Sequence, residues 1–395
     1  MAAIFSGFLL ILNDNKCNFS IFTGSKLLKL FVMENFVAYN PVKVHFGKAV
    51  VADLGKTITF YGKKVLLVYG KGSVKKNGSY DDVIQQLEKF SMEITEFSGI
   101  KSNPLVVDVD KAIELGINNK VEMVIALGGG SVIDSAKIIA LCIPANLNPW
   151  KVMKMRAFPR ESLPVITVLT IAATGSEMND VSVLQNLETG EKIGYVNPMI
   201  YPKHSFLDPV YTYSVSSEYT AYGIVDMISH TFETFFSAGI ANLSDRFMQS
   251  IVLEAIHYAI PVLKEPENYD NRANIMWTAT CALNGTTNYG RAGRGDWGAH
   301  AIGHILSILY DTPHGASLSI AYPAWLKLLK DRIPDRIQRL GKLIFNVNSC
   351  DDFIIKLESF FRQINAPVRL SEINVDITQK QEIIDLMIKN KVNGY

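Results

Sequence analysis

Val121-Glu-Met-Val-Ile-Ala-Leu-Gly-Gly-Gly-Ser-Val-Ile-Asp-Ser-Ala-Lys137 is the stretch of the chain that decides the fold. Its first seven residues form a mostly apolar run that is typical of a buried strand, and Gly128-Gly129-Gly130 ends that run. A helical pattern follows from Ser131, which is a suitable N-cap. A glycine turn between a strand and a helix lets a phosphate approach the N–H groups at the helix N-terminus. A tight turn without any ligand explains these glycines equally well.

The alternation of strand and helix extends on both sides of this stretch. Strand patterns occur at residues 36–46, 64–69, 93–97 and 164–169, and helical patterns occur at residues 80–90 and 106–116. Strands that alternate with helices predict an α/β domain built on a doubly wound, mostly parallel sheet of the Rossmann-like type.

Beyond residue 210 the pattern changes, because helical periodicity continues almost to the end and strand-like runs become rare. We therefore predict a dinucleotide-binding α/β domain at 33–210 and an all-helical, metal-binding domain at 211–395. Residues 1–32 contain a short apolar run without a basic segment before it, which makes a weak signal-peptide candidate. We expect this extension to be poorly ordered and to carry no catalytic residue.

The bulk composition excludes several classes of protein. The chain has 395 residues, 48% of them hydrophobic, and a formal net charge of +1, so neither nucleic acid nor a membrane is an expected partner. Its cysteines show no CxxC spacing: Cys17, Cys142, Cys281 and Cys350. A disulfide framework is not indicated, and a cytoplasmic location fits best.

Acidic and histidine residues lie at helical spacing in two segments of the C-terminal half. Asp226 and His230 are four residues apart, and so are His300 and His304, which places each pair on one helical face. His314 follows ten residues after His304, and four of the seven histidines of the chain lie in these segments. Carboxylate and imidazole suit a divalent first-row metal. Each pair alone is also explained by surface or capping contacts.

A second small-residue loop, Leu169 to Glu177, follows a strand, and ligands of open α/β sheets collect at such carboxyl ends. Its hydroxyl groups could bind phosphate or ribose, or cap a turn.

Together these motifs resemble the iron-containing (group III) alcohol dehydrogenase family, in particular its butanol-dehydrogenase-like branch. The matching pieces occur in the family's order between residues 36 and 345: Phe46-Gly47, Asn103-Pro104, Gly128 to Lys137, Thr174-Gly-Ser-Glu177, Asp208-Pro209, Gly223 to His230, and His300 to Gly315. The resemblance implies the two-domain architecture of the dehydroquinate synthase type.

The resemblance also implies roles for individual residues. Family metal ligands, which hold Fe²⁺ or sometimes Zn²⁺, match Asp226, His230, His300 and His314. The resemblance places His304 beside the nicotinamide, where a histidine suits proton relay, although a helix histidine is often only structural. Nucleotide contacts of the family match Asn103, Gly129, Gly130, Ser131, Asp134, Thr170, Thr174, Lys192 and Leu207. Ile171 stands where the family usually has a second threonine.

The first βα turn, Tyr69-Gly70-Lys71-Gly72-Ser73, bears on the choice between NAD(H) and NADP(H). NAD-selective enzymes place an acid near this turn, whereas here the turn has Gly72, Ser73 and nearby lysines. We therefore predict that Gly72 and Ser73 contact the cofactor and that NADPH is tolerated or preferred.

The resemblance implies reversible hydride transfer between a primary, butanol-like alcohol and NAD(P)+, by an enzyme expected to be a homodimer. A mononuclear metal hydrolase and a sugar-phosphate lyase of the dehydroquinate-synthase type are the alternatives. Glycine loops at strand ends weigh against the hydrolase. The lysines and arginines that would hold an anionic lyase substrate are not obvious.

Overall fold

A computed structural model describes residues 33–392 of the chain. The N-terminal extension that the sequence predicts to be poorly ordered therefore lies outside the described residues. Two compact units are present, one formed by 39–227 with 254–285 and the other by 33–38 with 228–253 and 286–392. Two of their limits, after residues 227 and 253, fall inside long helices, and the domain boundary near residue 210 stays a prediction.

The first unit contains a six-stranded, fully parallel sheet with the order β1-β8-β5-β4-β2-β3. Its strands are β1 (Lys43–Phe46), β2 (Lys64–Tyr69), β3 (Glu93–Phe97), β4 (Met123–Gly128), β5 (Val165–Leu169) and β8 (His204–Leu207). An antiparallel hairpin, β6 (Val181–Asn186) with β7 (Glu191–Val196), forms a second sheet. The chain passes from β2 outward to β3 and then returns to β4 on the other side of β2. This change of direction is where ligands bind in such sheets.

Helices cover both faces of the large sheet. They are α1 (Leu54–Ile58), α2 (Ser73–Lys76), α3 (Ser79–Lys89), α4 (Val106–Asn118), α5 (Gly130–Cys142) and α6 (Pro149–Met153). Alternate strand residues point to opposite faces, so Leu66 and Val68 pack with α4 and α5, while Val65 and Leu67 pack with α1 and α3. Two hydrophobic layers therefore enclose the sheet, as the doubly wound pattern predicted.

Eight further α-helices lie in the described part of the chain. These are α7 (Ser217–Phe235), α8 (Asn242–Lys264), α9 (Tyr269–Ala282), α10 (Gly298–Tyr310), α11 (His314–Leu329), α12 (Pro334–Phe345), α13 (Cys350–Gln363) and α14 (Lys380–Lys389). Within the second unit α10 packs on α11 and α14, and α13 packs on α11 and α12. A buried ion cluster joins Asp245 to Arg291 and Arg336. The guanidinium of Arg336 also lies 3.6 Å from the ring centroid of Phe235.

The sequence predicted the longer helices and most strands of the large sheet within a few residues. The first strand is confined to Lys43–Phe46 rather than 36–46, because only these residues pair with β8. The hairpin β6–β7, strand β8 and the short helices α1, α2 and α6 were not predicted; β8, for example, has two polar residues among its four. Within residues 33–392, no helix is long and apolar enough to cross a membrane.

Candidate active site

Helix α7 brings Asp226 and His230 to the same buried position. The two residues lie one helical turn apart, and only 2% and 5% of their surfaces are exposed. His300 and His314 join them, so that one possible ligand atom from each of the four residues lies within 4.8 Å of the others. The structure thus brings together the four side chains that the sequence put forward as metal ligands.

A short reversal between α10 and α11 places His314 beside His300. Asp311 takes up a left-handed conformation with φ 49°, which aspartate tolerates better than most residues, and it ends α10. Helix α11 then begins at His314. The ring centroid of His314 lies 5.2 Å from that of His300. Close packing of the two helices depends on Gly303, where an added Cβ would lie 2.8 Å from Ser317 Oγ.

Burial sets the charge state of His230 and Asp226. It lowers the pKa of His230 to about 3, so the ring is neutral and keeps a lone pair. Burial also raises the pKa of Asp226 to about 8, an effect that Lys192 opposes and Asp134 reinforces. Three imidazoles and one carboxylate within 4.8 Å are a donor set that fits a divalent first-row cation, whose charge would compensate the buried carboxylate.

His304 lies next to this group but outside it. It follows His300 by one turn of α10, and its ring centroid is 5.8 Å from that of His314. Its side chain is partly exposed, and it does not belong to the set of four converging ligand atoms. The arrangement is compatible with the separate role that the resemblance implies for His304.

The two small-residue loops of the α/β unit meet at the N-terminus of α5. A Cβ added to Gly130 would lie 2.4 Å from Thr174 Oγ1, and one added to Gly129 would lie 2.1 Å from Ile171 Cγ2. Gly223 of α7 approaches the same loop, since a Cβ there would lie 2.2 Å from the carbonyl oxygen of Ala172. Glycine at these positions allows the loop to lie between α5 and the helix that carries Asp226.

Other candidate cofactor residues form polar contacts around this turn. Lys192 Nζ on β7 donates to Asn103 Oδ1 at 2.8 Å, and Ser131 Oγ donates to the carbonyl of Ser102. Thr170 follows β5 and is buried, and its N–H donates to the carbonyl of Gly128. Leu207, at the end of β8, is fully buried. Its backbone is therefore the part that could contact a ligand.

Asp134 is held by the protein itself. Its carboxylate accepts hydrogen bonds from Ser176 Oγ at 2.5 Å and from the Val183 N–H at 2.8 Å. Burial raises the pKa of this carboxyl group, while Lys137 and Ser176 act in the opposite direction. Asp134 thus fixes the position of the Ser176 loop whether or not a nucleotide also contacts it.

Lys137, which the sequence analysis did not single out, is the centre of this buried network. Its ammonium is fully buried and donates to Ser176 Oγ, Asn179 Oδ1 and the Val181 carbonyl at 2.9, 2.9 and 2.7 Å. Burial lowers the pKa of Lys137 to about 8, against the attraction of Asp134 and other nearby carboxylates. The signal in the sequence was a lysine three residues after Asp134, at the start of the apolar second half of helix α5.

Gly72 and Ser73 lie at the carboxyl end of β2, beside that of β4. An acid stands near this turn, because Tyr69 and Tyr80 both donate hydrogen bonds to the Glu96 carboxylate, at 2.6 and 3.0 Å. Sequence inspection of the turn alone missed Glu96, which arrives from β3. Lys75 Nζ lies 4.4 Å from the ring centroid of Tyr80, one of these two tyrosines.

Comparison with known proteins agrees with this architecture. The family model for iron-containing alcohol dehydrogenase matches residues 41–209, and the model for the C-terminal part of that family matches residues 220–394. The probable NADH-dependent butanol dehydrogenase 1 of Bacillus subtilis is 39% identical, covering 92% of this chain and 95% of that protein. The NADPH-dependent aldehyde reductase YqhD of Escherichia coli is 36% identical, covering 87% of this chain and 90% of that protein.

Among solved structures, the NADH-dependent butanol dehydrogenase A of Thermotoga maritima superposes with a TM-score of 0.88 at 38% identity, over 91% of this chain and 92% of that one. Because its relatives are NADH-dependent butanol dehydrogenases and an NADPH-dependent aldehyde reductase, the chain is an oxidoreductase of the alcohol dehydrogenase class. The chain belongs to the iron-containing alcohol dehydrogenase family. The fold class and the enzyme class predicted from the sequence are confirmed.

Proposed function

We propose that Asp226, His230, His300 and His314 bind one divalent cation, Fe²⁺ or Zn²⁺, in an alcohol dehydrogenase that also works as an aldehyde reductase. The observation that carries this proposal is the convergence of four possible ligand atoms within 4.8 Å, three of them on buried residues and the fourth on half-buried His314. Neutral imidazole and carboxylate ligands suit both metals. A buried carboxylate without a compensating cation would be costly, so the group has a physical reason to bind one.

The reaction that fits this site is reversible hydride transfer between a primary alcohol, such as butanol, and NAD(P)+. A bound cation would supply Lewis-acid chemistry at the alcohol oxygen, and the nucleotide would supply the hydride acceptor. His304 carries the alcohol proton toward solvent, a role supported by its partial exposure and its place beside His314.

The nucleotide is proposed to bind along the carboxyl ends of β2, β4 and β5. Its contacts would come from the residues named by the sequence: Gly72, Ser73, Asn103, Gly129, Gly130, Ser131, Asp134, Thr170, Thr174, Lys192 and Leu207. Support comes from the change of strand direction between β2 and β4, where dinucleotides bind in doubly wound sheets. The contact of Gly130 with Thr174 also puts two of the small-residue loops side by side.

NADPH use is proposed alongside NADH use. The turn itself has no acid, and similar proteins include both NADH-dependent and NADPH-dependent enzymes. Glu96 weighs against a 2′-phosphate, but its carboxylate is already hydrogen-bonded by two phenols, and Lys75 lies over the ring of one of them. An NADH specificity constant at least tenfold above that for NADPH, or about 1.4 kcal/mol, would remove this part of the proposal.

Anaerobic reconstitution tests the whole assignment. Metal-free protein is loaded with Fe²⁺ or Zn²⁺ and assayed for butanal reduction with NADH and with NADPH, beside His314→Ala as the matched control. We expect one metal per chain in the wild type, activity that requires it, and loss of both in the variant. Full activity without metal would overturn the metal site, and metal uptake without reduction of any short aldehyde would overturn the reaction.

Family membership weighs against the alternatives considered from the sequence. A metal hydrolase does not need a nucleotide site, and so does not need two small-residue loops that meet at the N-terminus of α5. A sugar-phosphate lyase would need cationic groups directed at its substrate, whereas Lys137 is committed to internal hydrogen bonds. The homodimer stays a prediction that size-exclusion chromatography with light scattering can test.

A further inference from the structure

Glu233 is a buried acid that none of the roles above uses. It lies on α7 three residues after His230, and none of its surface is exposed. Its Oε1 accepts a hydrogen bond from the backbone N–H of His300 at 3.2 Å and lies 2.7 Å from His300 Nδ1. One carboxylate oxygen thus contacts both the backbone and the ring of a proposed metal ligand.

The surroundings of Glu233 give it no competing partner of that kind. Its Oε2 has no hydrogen-bond partner among the described residues, and neither has the hydroxyl of Tyr322 nearby. Asp296, the other acid in this part of the core, is engaged elsewhere. It accepts hydrogen bonds from the Gly298 N–H and from Trp325 Nε1, both at 3.1 Å. The contact with His300 is therefore the main polar interaction of Glu233.

This contact decides which nitrogen of His300 is available. A neutral imidazole carries one proton, so a ring that donates Nδ1–H to a carboxylate keeps its lone pair on Nε2. The bond from the His300 backbone to the same oxygen fixes the position of the acceptor and hence the rotation of the ring. Such an outer carboxylate orients a ligating histidine and makes its free nitrogen a better donor.

We propose that Glu233 is the positioning residue of the metal centre, holding His300 in the tautomer and orientation that present Nε2 to the cation. The inference rests on the proposed metal site. Helix α7 would then provide two ligands, Asp226 and His230, and on its next turn the group that orients a third. A single rigid helix would thereby set the relative positions of ligands from two distant parts of the chain.

Zn²⁺ affinity of the full-length, metal-free protein tests this role without any turnover. Affinity is measured by competition with a chromophoric chelator for the wild type, Glu233→Ala, Glu233→Gln and Tyr322→Phe, and the metal-free melting temperature is recorded for each. We expect Glu233→Ala to bind Zn²⁺ about 10- to 100-fold more weakly. Tyr322→Phe removes a buried hydroxyl from the same region without touching His300, and should bind as the wild type does.

The glutamine variant separates orientation from general packing. Its amide oxygen can accept the same two hydrogen bonds, so Glu233→Gln should recover most of the lost affinity. No recovery, or an equal loss in Tyr322→Phe, would overturn the positioning role. If Glu233→Ala does not fold, Glu233→Asp replaces it. The shorter carboxylate cannot keep the 2.7 Å contact and should lose about tenfold in affinity, and wild-type affinity there would overturn the proposal.

Failure of this inference is distinguishable from failure of the proposed function. A wild-type protein that takes up no Zn²⁺ would remove the metal centre itself. Tight Zn²⁺ binding by the wild type, unchanged in Glu233→Ala but lost in His300→Ala, would keep the metal centre and remove only the role of Glu233.

Discussion

Raising the pH from about 6.5 to about 8 should destabilise the metal-free protein through Asp226. In the unfolded chain this carboxyl ionises near 3.8, whereas burial raises its pKa in the fold to about 8. Between these values the folded state holds a proton that the unfolded state has lost, so stability falls as pH rises. His230 acts in the opposite direction, because its pKa is lowered from 6.5 to about 3, but its effect ends above 6.5.

The expected size follows from that window. Each pH unit over which one proton is retained corresponds to about 1.4 kcal/mol, so about 1.5 units give a loss of about 2 kcal/mol in the free energy of unfolding. Burial also raises the pKa of Glu233 well above its usual range. Glu233 should therefore lower the free energy of unfolding further as the pH rises. A bound cation favours the ionised carboxylate, and the fall should disappear in the metal-loaded protein.

Urea unfolding with a chelator present, at several pH values from 6.5 to 8, measures the effect. Asp226→Asn is the matched control, since its amide does not ionise and only the difference between the two proteins reports on Asp226. We expect the wild type to lose about 2 kcal/mol more than the variant across this range. Parallel pH profiles for the two proteins would refute the reasoning.

Three further predictions address single residues. His304→Ala should retain its metal but turn over roughly 100-fold more slowly, measured by metal content and steady-state kinetics; full activity would remove the proton-relay role. Gly130→Ala should displace Thr174 and weaken NADPH binding, measured by calorimetry, by about tenfold, because overpacking costs about 1–3 kcal/mol. An unchanged affinity would contradict the proposed role of this turn. Asp245→Asn should lower the free energy of unfolding by about 3 kcal/mol, because it leaves buried Arg291 without its carboxylate, while Zn²⁺ affinity stays the same.

Much of the fold could be predicted from local patterns. Strand β2 lies where its apolar run does, because a buried parallel strand needs a short hydrophobic run bounded by turn residues. Strand β3, at the edge of the sheet, is more polar, and its β-branched Ile94 and Thr95 indicated a strand. Strand β8 was missed, since His204-Ser-Phe-Leu207 has two polar residues. The structure buries them all the same: His204 Nδ1 lies 3.0 Å from His45 Nε2, and Ser205 Oγ donates to the Glu177 carbonyl.

For the candidate site, the sequence supplied the ligand types, and the structure supplied their distances. Spacing of four residues puts Asp226 and His230 on one face of a helix, but no local rule states that α10 and α11 bring His300 and His314 to the same point. The roles of Glu233 and Lys137 were not predicted from the sequence for a related reason. Their importance lies in burial and in contacts with residues far along the chain, such as His300 and Asn179, which periodicity does not reveal.

The spacing of the candidate ligands has a consequence for folding kinetics. They come in two groups, Asp226 with His230 and His300 with His314, and the groups are separated by a long stretch of chain that includes all of α8 and α9. In an unfolded ensemble such distant groups meet rarely, so a cation adds little to the early steps of folding. The cation would stabilise the protein mainly after the helices have packed. Metal should therefore slow unfolding far more than it accelerates folding.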